Sequence, residues 1–289
     1  MEKLIIAGAG PAGVSAALYA VRSGITPLVI HKGGGALEKA HKIENYYGLP
    51  TPISGQELYD TGLKQLKDLK VPIVEAEILA IEYDGNFIFR TTKDTYKGNS
   101  VILATGTSRK KLGIKGADRY EGSGLSYCAI CDGFFYRQKE VAVIGNGEYA
   151  LLEAKVLEPL ASKVTILTNG LKPEFDETAL GTILVDQRPV IGIGGEPGVE
   201  WLEFEDHEKL PAAGLFVALG TAGSTDIARK LGLMIEKNHI VIEPDTKTAL
   251  PGLFAAGDCA GGMLQIAKAV YEGALAGTNA VHYLKSLQK

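Results

Sequence analysis

The first thirteen residues constrain the fold more than any other part of the chain. An apolar run at residues 3–7 is followed at once by a glycine turn at residues 8–13, with Gly8, Gly10 and Gly13, and then by an apolar helical stretch. Glycines so placed allow a tight turn, close approach of a pyrophosphate and close helix packing, and the helix N-terminus supplies N–H donors. The pattern predicts an α/β fold with a Rossmann-like unit that binds a dinucleotide.

Two cysteines, Cys128 and Cys131, form the second informative pattern, and Asp132 follows them directly. Their spacing can bring the two Cα atoms within disulfide range, and a nearby helix N-terminus would lower a thiol pKa. We therefore expect a redox pair, with Asp132 as proton donor to the departing thiolate or as a helix cap. Half of a zinc site and a structural disulfide are the alternatives. Zinc usually needs four ligands, whereas the chain offers one further cysteine, Cys259, so no metal site is expected.

Other strand ends extend the pattern. Loops that follow apolar strands carry Ala104, Thr105 and Gly106 and, later, Gly257 and Asp258. The aspartate can accept a ribitol or ribose hydroxyl, which favours FAD as the dinucleotide. Residues 140–144 form another strand, followed by a second glycine turn at residues 145–150. Two Rossmann-like units are therefore expected, as in flavoenzymes whose second unit ordinarily holds NAD(P)H.

Composition excludes some classes of function. A length of 289 residues indicates about two domains, and a net charge of −4 gives no global basic field to attract nucleic acid. No apolar run approaches the length of a membrane span. Three cysteines suit a reducing compartment, so a cytoplasmic protein is expected.

Taken together, these motifs resemble those of the low-molecular-weight thioredoxin reductases, and the likeness spans nearly the whole chain. The resemblance implies an FAD-binding domain formed by residues 1–114 and 212–289. It also implies an inserted redox-disulfide domain at 115–211, similar to an NADPH domain but reduced in size. It further implies a homodimer that reduces thioredoxin, with Cys131 facing the flavin and Cys128 attacking thioredoxin.

The resemblance also implies a set of FAD contacts. Gly35, Leu37 and Asn45 lie in stretches similar to the family's FAD loops, and residues 265–267 are similar to its flavin-facing segment. His31, at the end of the second strand, either bonds FAD or faces solvent. The expected contacts are Gly8, Gly10, Pro11, Ala12, Gly13, His31, Gly35, Leu37, Asn45, Ala104, Thr105, Gly106, Gly257, Asp258, Gln265, Ile266 and Ala267.

The second glycine turn departs from that of NADPH-dependent relatives. Tyr149 takes the place of a small hydroxyl residue, and its ring is expected to crowd a pyrophosphate. The next strand ends in Thr-Asn-Gly at 168–170 instead of a His-Arg-Arg cluster. Without arginine there is no bidentate grip on a 2′-phosphate, and without an acid there is no acceptor for an NAD ribose. Lys172 is a poor substitute, and residues 173–210 look trimmed, so the sequence predicts no use of a pyridine nucleotide.

Electrons must then come from another donor. The chain resembles the ferredoxin-linked flavin thioredoxin reductases, in which reduced ferredoxin supplies electrons to FAD. Because ferredoxin is acidic, a basic docking patch is expected. The candidate residues are Arg109, Lys110, Lys111 and Lys115, or Lys64, Lys67 and Lys70. Three alternatives stay open: an NADPH-dependent enzyme with an atypical phosphate site, a flavin dithiol oxidase that uses oxygen, and a catalytically silent redox-sensing flavoprotein.

Overall fold

The chain folds into two compact units. The computed structural model describes residues 2–106, 112–114, 116–220 and 223–288. The first unit is discontinuous and comprises Met1–Ser108 and Gly223–Lys289, while the second comprises Arg109–Ala222. Each unit contains a sheet with parallel strands at its centre and a hydrophobic core of its own. The predicted α/β fold, with one Rossmann-like unit inserted into another, is confirmed.

Short strands and six α-helices make up the described part of the chain. In chain order they are β1 (Glu2–Ala7), α1 (Pro11–Arg22), β2 (Leu28–His31), α2 (Gly55–Asp68), β3 (Ile73–Glu75), β4 (Ile78–Tyr83), β5 (Phe87–Thr91), β6 (Thr95–Leu103), β7 (Leu125–Ser126), α3 (Ala129–Asp132), β8 (Glu140–Ile144), α4 (Glu148–Leu157), β9 (Lys163–Leu167), β10 (Leu184–Asp186), β11 (Val190–Gly194), β12 (Trp201–Phe204), β13 (Lys209–Pro211), β14 (Gly214–Val217), α5 (Ser224–Lys230), β15 (Ile235–Glu236), β16 (His239–Ile240), β17 (Leu253–Ala255) and α6 (Ile266–Ser286). Within the described ranges, no helix is long and apolar enough to cross a membrane.

The first unit is built on a mixed sheet with strand order β3-β2-β1-β6-β5-β4, in which β17 also pairs with β6. Strands β1, β2, β3, β17 and the second half of β6 run parallel, while β4, β5 and the first half of β6 form an antiparallel meander. Because β1, β6 and β17 end at the same edge, the loops that follow them lie side by side.

Close packing of α6 on α1 fixes the position of the loop before α6. A Cβ added at Gly273 or Gly277 would overlap the carbonyl oxygens of Ala12 and Ala16, respectively. The two helices can therefore approach this closely only with glycine at both positions. Helix α1 starts with Pro11, whose missing N–H is no loss in the first turn of a helix.

The second unit has a parallel sheet of order β10-β9-β8-β14-β7 and an antiparallel sheet β11-β12-β13. Helix α4 connects β8 to β9 in the usual way. The crossover from β9 to β10 differs, because residues 168–183, all of them described, contain a single 3-10 turn, Glu177–Ala179, instead of an α-helix. Since such crossovers are usually helical, the missing helix accounts for the trimmed appearance of this region in the sequence.

The joints between the units differ from the boundaries expected near 114 and 211. Strand β14 pairs in parallel with β8, so the second unit extends to residue 222. At the other joint, Leu112 and Ile114 belong to the core of the second unit. A four-residue apolar strand such as β14 carries no signal in its own sequence that says which sheet it joins.

Candidate active site

The first glycine turn is shaped for a ligand at one position. Gly8 has a φ of +108°, and a Cβ there would overlap the carbonyl of Ala104. A Cβ at Gly13 would overlap the carbonyl of Gly8. At Gly10, the N-cap of α1, an added Cβ would meet no atom within 4 Å. Backbone packing therefore requires glycine at positions 8 and 13. Gly10 instead borders open space at a helix N-terminus, where a pyrophosphate would approach.

The loop after β6 adds a polar group to this region. The Thr105 Oγ1 is buried and has no hydrogen-bond partner among the described residues. Leaving a hydroxyl in that state costs about 1–3 kcal/mol, so the site is suited to a polar ligand. Gly106, with a φ of +68°, accepts a bond from Ser224 Oγ at 2.8 Å. Together with the open Gly10, the orphaned hydroxyl is a feature that a bound FAD would satisfy, and the FAD contacts of these residues stay a prediction.

The Gly257 turn joins the same site through Ala12, because a Cβ on Gly257 would lie 2.9 Å from the Ala12 Cβ. An ion pair on α6 holds this turn. Glu272 Oε2 accepts the N–H of Gly257 at 2.8 Å, and Lys268 Nζ donates to the Gly257 carbonyl at 2.9 Å. Both charged side chains are 14% exposed, and they lie 2.9 Å apart. Asp258, next in the chain, is half-buried. This pair was not predicted, although its i, i+4 spacing on a helix is visible in the sequence.

Two other expected FAD contacts meet across 220 positions of sequence. Asn45 Nδ2 donates to Gln265 Oε1 at 3.0 Å. Gln265 is the N-cap of α6 but makes no side-chain cap bond, and Ile266 and Ala267 form the first turn of that helix. The N-terminus of α6 therefore lies beside the Asn45 loop. Gly35 has a φ of +63° with open space around it, and Leu37 begins the 3-10 turn Leu37–Lys39.

The alternative that His31 faces solvent is wrong. The residue is 7% exposed, and its Nδ1 lies 2.9 Å from the hydroxyl of Tyr59. Burial is the main cause of two pKa shifts here. It lowers the pKa of His31 and raises the pKa of Tyr59 to about 12. Contact between His31 and FAD stays a prediction.

The cysteine pair lies in the second unit and is joined as a disulfide, with the Cα atoms 5.3 Å apart. Cys128 is the N-cap of α3, and its Sγ accepts the N–H of Cys131 at 3.2 Å. Cys128 is 2% exposed, whereas Cys131 is exposed. Cys131 is therefore the sulfur within reach of a partner in this conformation. In the described parts of the chain, no group of three or more His, Cys, Asp and Glu side chains could hold a metal.

The Asp132 carboxylate is bonded to Ser126, a residue that was not predicted to belong to the site. Ser126 Oγ donates to Asp132 Oδ2 at 2.6 Å and accepts the N–H of Cys128 at 3.1 Å. Asp132 ends α3 instead of capping it, and it makes no side-chain cap bond to the 3-10 turn that follows. The carboxylate is thus fixed beside the disulfide through Ser126. Only the position of Ser126, two residues before Cys128, could have drawn attention to it.

A second carboxylate contacts the other side of the motif. Glu153, on α4, is 1% exposed, and its Oε2 accepts the N–H of Ala129 at 2.8 Å.

Three apolar side chains close to the cysteines in sequence are exposed: Ile130 at 60%, Phe134 at 64% and Phe135 at 70%. Exposed apolar groups beside a disulfide are typical of a surface that meets another protein.

The second glycine turn repeats the backbone plan of the first. A Cβ at Gly145 would overlap the carbonyl of Ala218, while at Gly147, the N-cap of α4, it would meet no atom within 4 Å. Tyr149, just inside the helix, is 1% exposed and therefore enclosed by protein. That its ring crowds a pyrophosphate stays a prediction.

Residues 172–176 run along this second turn. Gly147 and Glu174 form an isolated parallel bridge, and the N–H of Glu174 donates to the Asn146 carbonyl at 2.6 Å. The N–H of Asp176 donates to Glu148 Oε1 at 2.9 Å. Phe175, between these two residues, is 8% exposed and so anchors the segment in the unit. The Asn146 carbonyl and the backbone at Gly147 are thus engaged by the chain itself.

The strand end next to this turn is also occupied by internal bonds. Thr168 Oγ1 donates to the Leu171 carbonyl at 2.6 Å, and Asn169 Oδ1 accepts the N–H of Val190 at 2.7 Å. The side chains that stand where relatives have phosphate-binding cations therefore stabilise the loop.

The third cysteine is inert. Cys259 is 0% exposed, and burial raises the pKa of its thiol to about 12. Its Sγ lies 3.3 Å from the carbonyl oxygens of Leu103 and Ala256, both in the first unit. It behaves as a small core residue.

Comparison with known proteins agrees with this geometry. Residues 2–273 match the family model for pyridine nucleotide-disulphide oxidoreductases. The chain is 34% identical to the thioredoxin reductase of Listeria innocua over 304 residues, which cover 99% of this chain and 95% of that protein. The atypical thioredoxin reductase TRi of Desulfovibrio vulgaris Hildenborough has a TM-score of 0.92 at 38% identity and covers 99% of both chains.

A ferredoxin-flavin thioredoxin reductase of Clostridium acetobutylicum is also similar, with a TM-score of 0.72 at 32% identity over 99% of this chain and 98% of that one. The family match extends over both glycine turns and the cysteine pair. The chain belongs to the pyridine nucleotide-disulphide oxidoreductase family and, within it, to the thioredoxin reductases, whose cofactor is FAD.

Proposed function

We propose that this protein passes electrons from reduced ferredoxin, through FAD and the Cys128–Cys131 pair, to the disulfide of thioredoxin, and that it does not use NADPH. One observation carries the proposal: the backbone of the second glycine turn is bonded to the chain's own residues 172–176. The Clostridium relative, a ferredoxin-flavin thioredoxin reductase, supports the choice of donor.

Binding of a pyridine nucleotide would need the backbone of the second turn. In a Rossmann-like unit, the pyrophosphate sits at the helix N-terminus, against N–H groups of the glycine turn. Here the bridge between Gly147 and Glu174 lies along that turn, and Phe175 keeps the bridging segment in place. A nucleotide would have to displace the segment and expose the Phe175 side chain to water.

Charge opposes the nucleotide as well. Glu148 starts α4, and the 172–176 segment brings Glu174 and Asp176 beside it. Bonds from Thr178 lower the pKa of Asp176, which keeps it ionised. Carboxylates close to a pyrophosphate repel it, and Lys172 supplies one compensating charge.

The first unit has features that the second turn lacks. Gly10 and Gly147 both border open space, but the buried Thr105 hydroxyl and the Gly257 turn with its ion pair lie beside the first turn. We propose that these residues bind FAD, with Asp258 on the ribityl chain and Asn45 and Gln265 near the ring. When bound, FAD can take up electrons singly and deliver two to a disulfide.

In the proposed reaction, two electrons and two protons convert the Cys128–Cys131 disulfide into two thiols. One thiolate then attacks the thioredoxin disulfide to form a mixed disulfide, and the other thiolate displaces reduced thioredoxin. By resemblance, Cys128 is the attacking group and Asp132 the acid and base. Because Cys128 is 2% exposed, it has to become accessible before it can attack. Ser126 keeps the Asp132 carboxylate oriented beside the pair.

The lysines of α2 expected to dock ferredoxin lie among acidic residues. On α2, Lys64 is paired with Asp68 at 2.7 Å, and Glu57 and Asp60 add further negative charge to the same helix. The face expected to be basic is therefore mixed. The other candidates, Arg109, Lys110, Lys111 and Lys115, lie outside the described residues. The proposal is completed by a homodimer, as the resemblance implies, and by a cytoplasmic location, as the three cysteines favour.

A steady-state assay tests the donor and the acceptor together. The holoenzyme is incubated anaerobically with thioredoxin and reduced ferredoxin, NADPH or NADH, and the thiols formed on thioredoxin are counted. We expect turnover with ferredoxin and none above background with either nucleotide. Turnover with NADPH at a comparable rate would instead support the NADPH-dependent alternative. Rapid reoxidation by air without thioredoxin turnover would support the oxidase.

A further inference from the structure

Glu153 contacts the redox motif, yet the proposed reaction gives it no role. The side chain is 1% exposed, and its Oε2 accepts the N–H of Ala129 at 2.8 Å. Ala129 is the first residue of α3, the helix whose N-cap is Cys128. A buried carboxylate therefore lies at the helix N-terminus next to Cys128.

Backbone N–H donors around an N-cap cysteine ordinarily stabilise its thiolate, because a thiolate that accepts such bonds has a lowered pKa. Here the donors are divided. The N–H of Cys131 points to the Cys128 Sγ, but the N–H of Cys128 donates to Ser126 Oγ. The N–H of Ala129 serves Glu153. The carboxylate thus takes one donor and places a negative charge at the same helix end.

We propose that Glu153 is a positioning residue whose charge disfavours the Cys128 thiolate and so makes the reduced pair a stronger reductant. The inference rests on the proposed function in taking Cys128 and Cys131 as the pair that reduces thioredoxin. In that transfer, a sulfur–sulfur bond forms between the two cysteines, and two electrons and two protons pass to the thioredoxin disulfide. At a pH where the Cys128 thiol has ionised, destabilising the thiolate raises the free energy of the reduced pair. Transfer of electrons from the pair to thioredoxin then becomes more favourable.

Other titratable groups lie on the elements around α3. They are Asp132 in α3 itself, Tyr136 in the turn that follows, and Tyr149 in α4. Burial raises the pKa of Tyr136, which keeps it neutral near neutral pH. The Asp132 carboxylate is bonded to Ser126 and is left unchanged by a substitution at Glu153.

Two substitutions separate charge from geometry. Glu153→Gln keeps an oxygen that can accept the Ala129 N–H but removes the charge, whereas Glu153→Ala removes both. Glu205→Gln is the matched control, because it removes one charge from an exposed position in the same unit. If the alanine variant does not fold, the glutamine variant still tests the proposal.

The measurements are made on the anaerobic holoenzymes in glutathione redox buffers, from mildly acidic to mildly alkaline pH. They give the thiol–disulfide equilibrium of the pair and the thiol pKa from the rate of alkylation. Glu153→Gln is expected to lower the Cys128 thiol pKa and, above that pKa, to favour the reduced pair about fivefold to tenfold. A tenfold change corresponds to about 30 mV in midpoint potential. Below the pKa the difference vanishes, and Glu205→Gln matches the wild type throughout.

Equal thiol pKa values and equal redox equilibria for Glu153→Gln and wild type would overturn the inference and leave Glu153 a packing residue. That result would leave the proposed function intact, since glutathione stands in for thioredoxin. The proposed function fails separately if the chemically reduced wild-type pair does not reduce thioredoxin.

Discussion

Gly10 in the first glycine turn and Gly147 in the second hold equivalent positions: each is the N-cap of a helix that follows a strand, and an added Cβ would meet no atom within 4 Å at either. What surrounds them differs. Around Gly10 there are the buried Thr105 hydroxyl, which has no hydrogen-bond partner in the part of the chain that the structure describes, and a turn held by an ion pair. Beside Gly147, the chain has bonded its own residues 172–176 to the turn. A glycine turn thus provides the backbone for a nucleotide, and the residues around it decide whether one can bind.

A matched pair of substitutions at the two N-cap glycines should show the largest contrast. Neither backbone has a positive φ, and neither position is crowded, so valine is tolerated by the fold at both. Gly10→Val places its side chain where FAD must approach and should weaken FAD binding by about one to two orders of magnitude. Gly147→Val should leave FAD content and thioredoxin turnover unchanged. Flavin titration of the apoproteins measures both, and a loss of ferredoxin-driven turnover in Gly147→Val would contradict the contrast.

The ion pair that holds the Gly257 turn gives the next largest effect. Glu272→Gln leaves Lys268, which is 14% exposed, without its carboxylate and should lower the free energy of unfolding by about 2–4 kcal/mol. It should also weaken FAD binding. Asp68→Asn is the control, since its partner Lys64 is 74% exposed and such a pair contributes less than about 1 kcal/mol. Denaturant unfolding measures both variants, and equal losses would show that the pair has no special role.

Charge reversal at the second turn separates steric closure from repulsion. The double variant Glu174→Lys, Asp176→Lys removes two carboxylates but leaves the backbone bridge and Phe175 in place. We expect NADPH to reduce the flavin no faster than in wild type, because residues 172–176 stay bonded to the turn. Rapid mixing with NADPH checks this. Fast flavin reduction in the double variant alone would show that charge, not the bridge, keeps the nucleotide out.

The smallest expected effect is a difference in alkylation rate between the cysteines of the two units. After reduction, Cys131, which is exposed, should be alkylated first and Cys128 more slowly. Cys259 should stay unmodified at neutral and mildly alkaline pH, because its pKa of about 12 leaves it protonated there. Mass spectrometry of timed samples gives the order. Early labelling of Cys259 in the folded enzyme would mean that its core opens.

Some parts of this structure could be predicted from sequence because the signal is local. The strand, turn and helix that form the first glycine turn are contiguous, and so are the cysteines of the disulfide. The absence of arginine at the end of β9 was equally visible, and it pointed to the altered second turn.

Other parts depend on contacts between distant residues and left no pattern to follow. The bridge between Gly147 and Glu174 and the bond from the Glu174 N–H to the Asn146 carbonyl join backbone groups, so no side-chain signature marks them. Glu153 meets Ala129 only because α4 packs against α3. His31 ends strand β2 and is bonded to Tyr59, which lies on helix α2. Each of these contacts is fixed by tertiary packing.

The central claim is that the second glycine turn no longer binds a pyridine nucleotide. Anaerobic rapid mixing of the oxidised wild-type holoenzyme with excess NADPH, followed by the flavin absorbance, tests it most directly, with reduced ferredoxin mixed in parallel. We predict that ferredoxin bleaches the flavin and that NADPH leaves the spectrum unchanged. Bleaching by NADPH within seconds would contradict the claim.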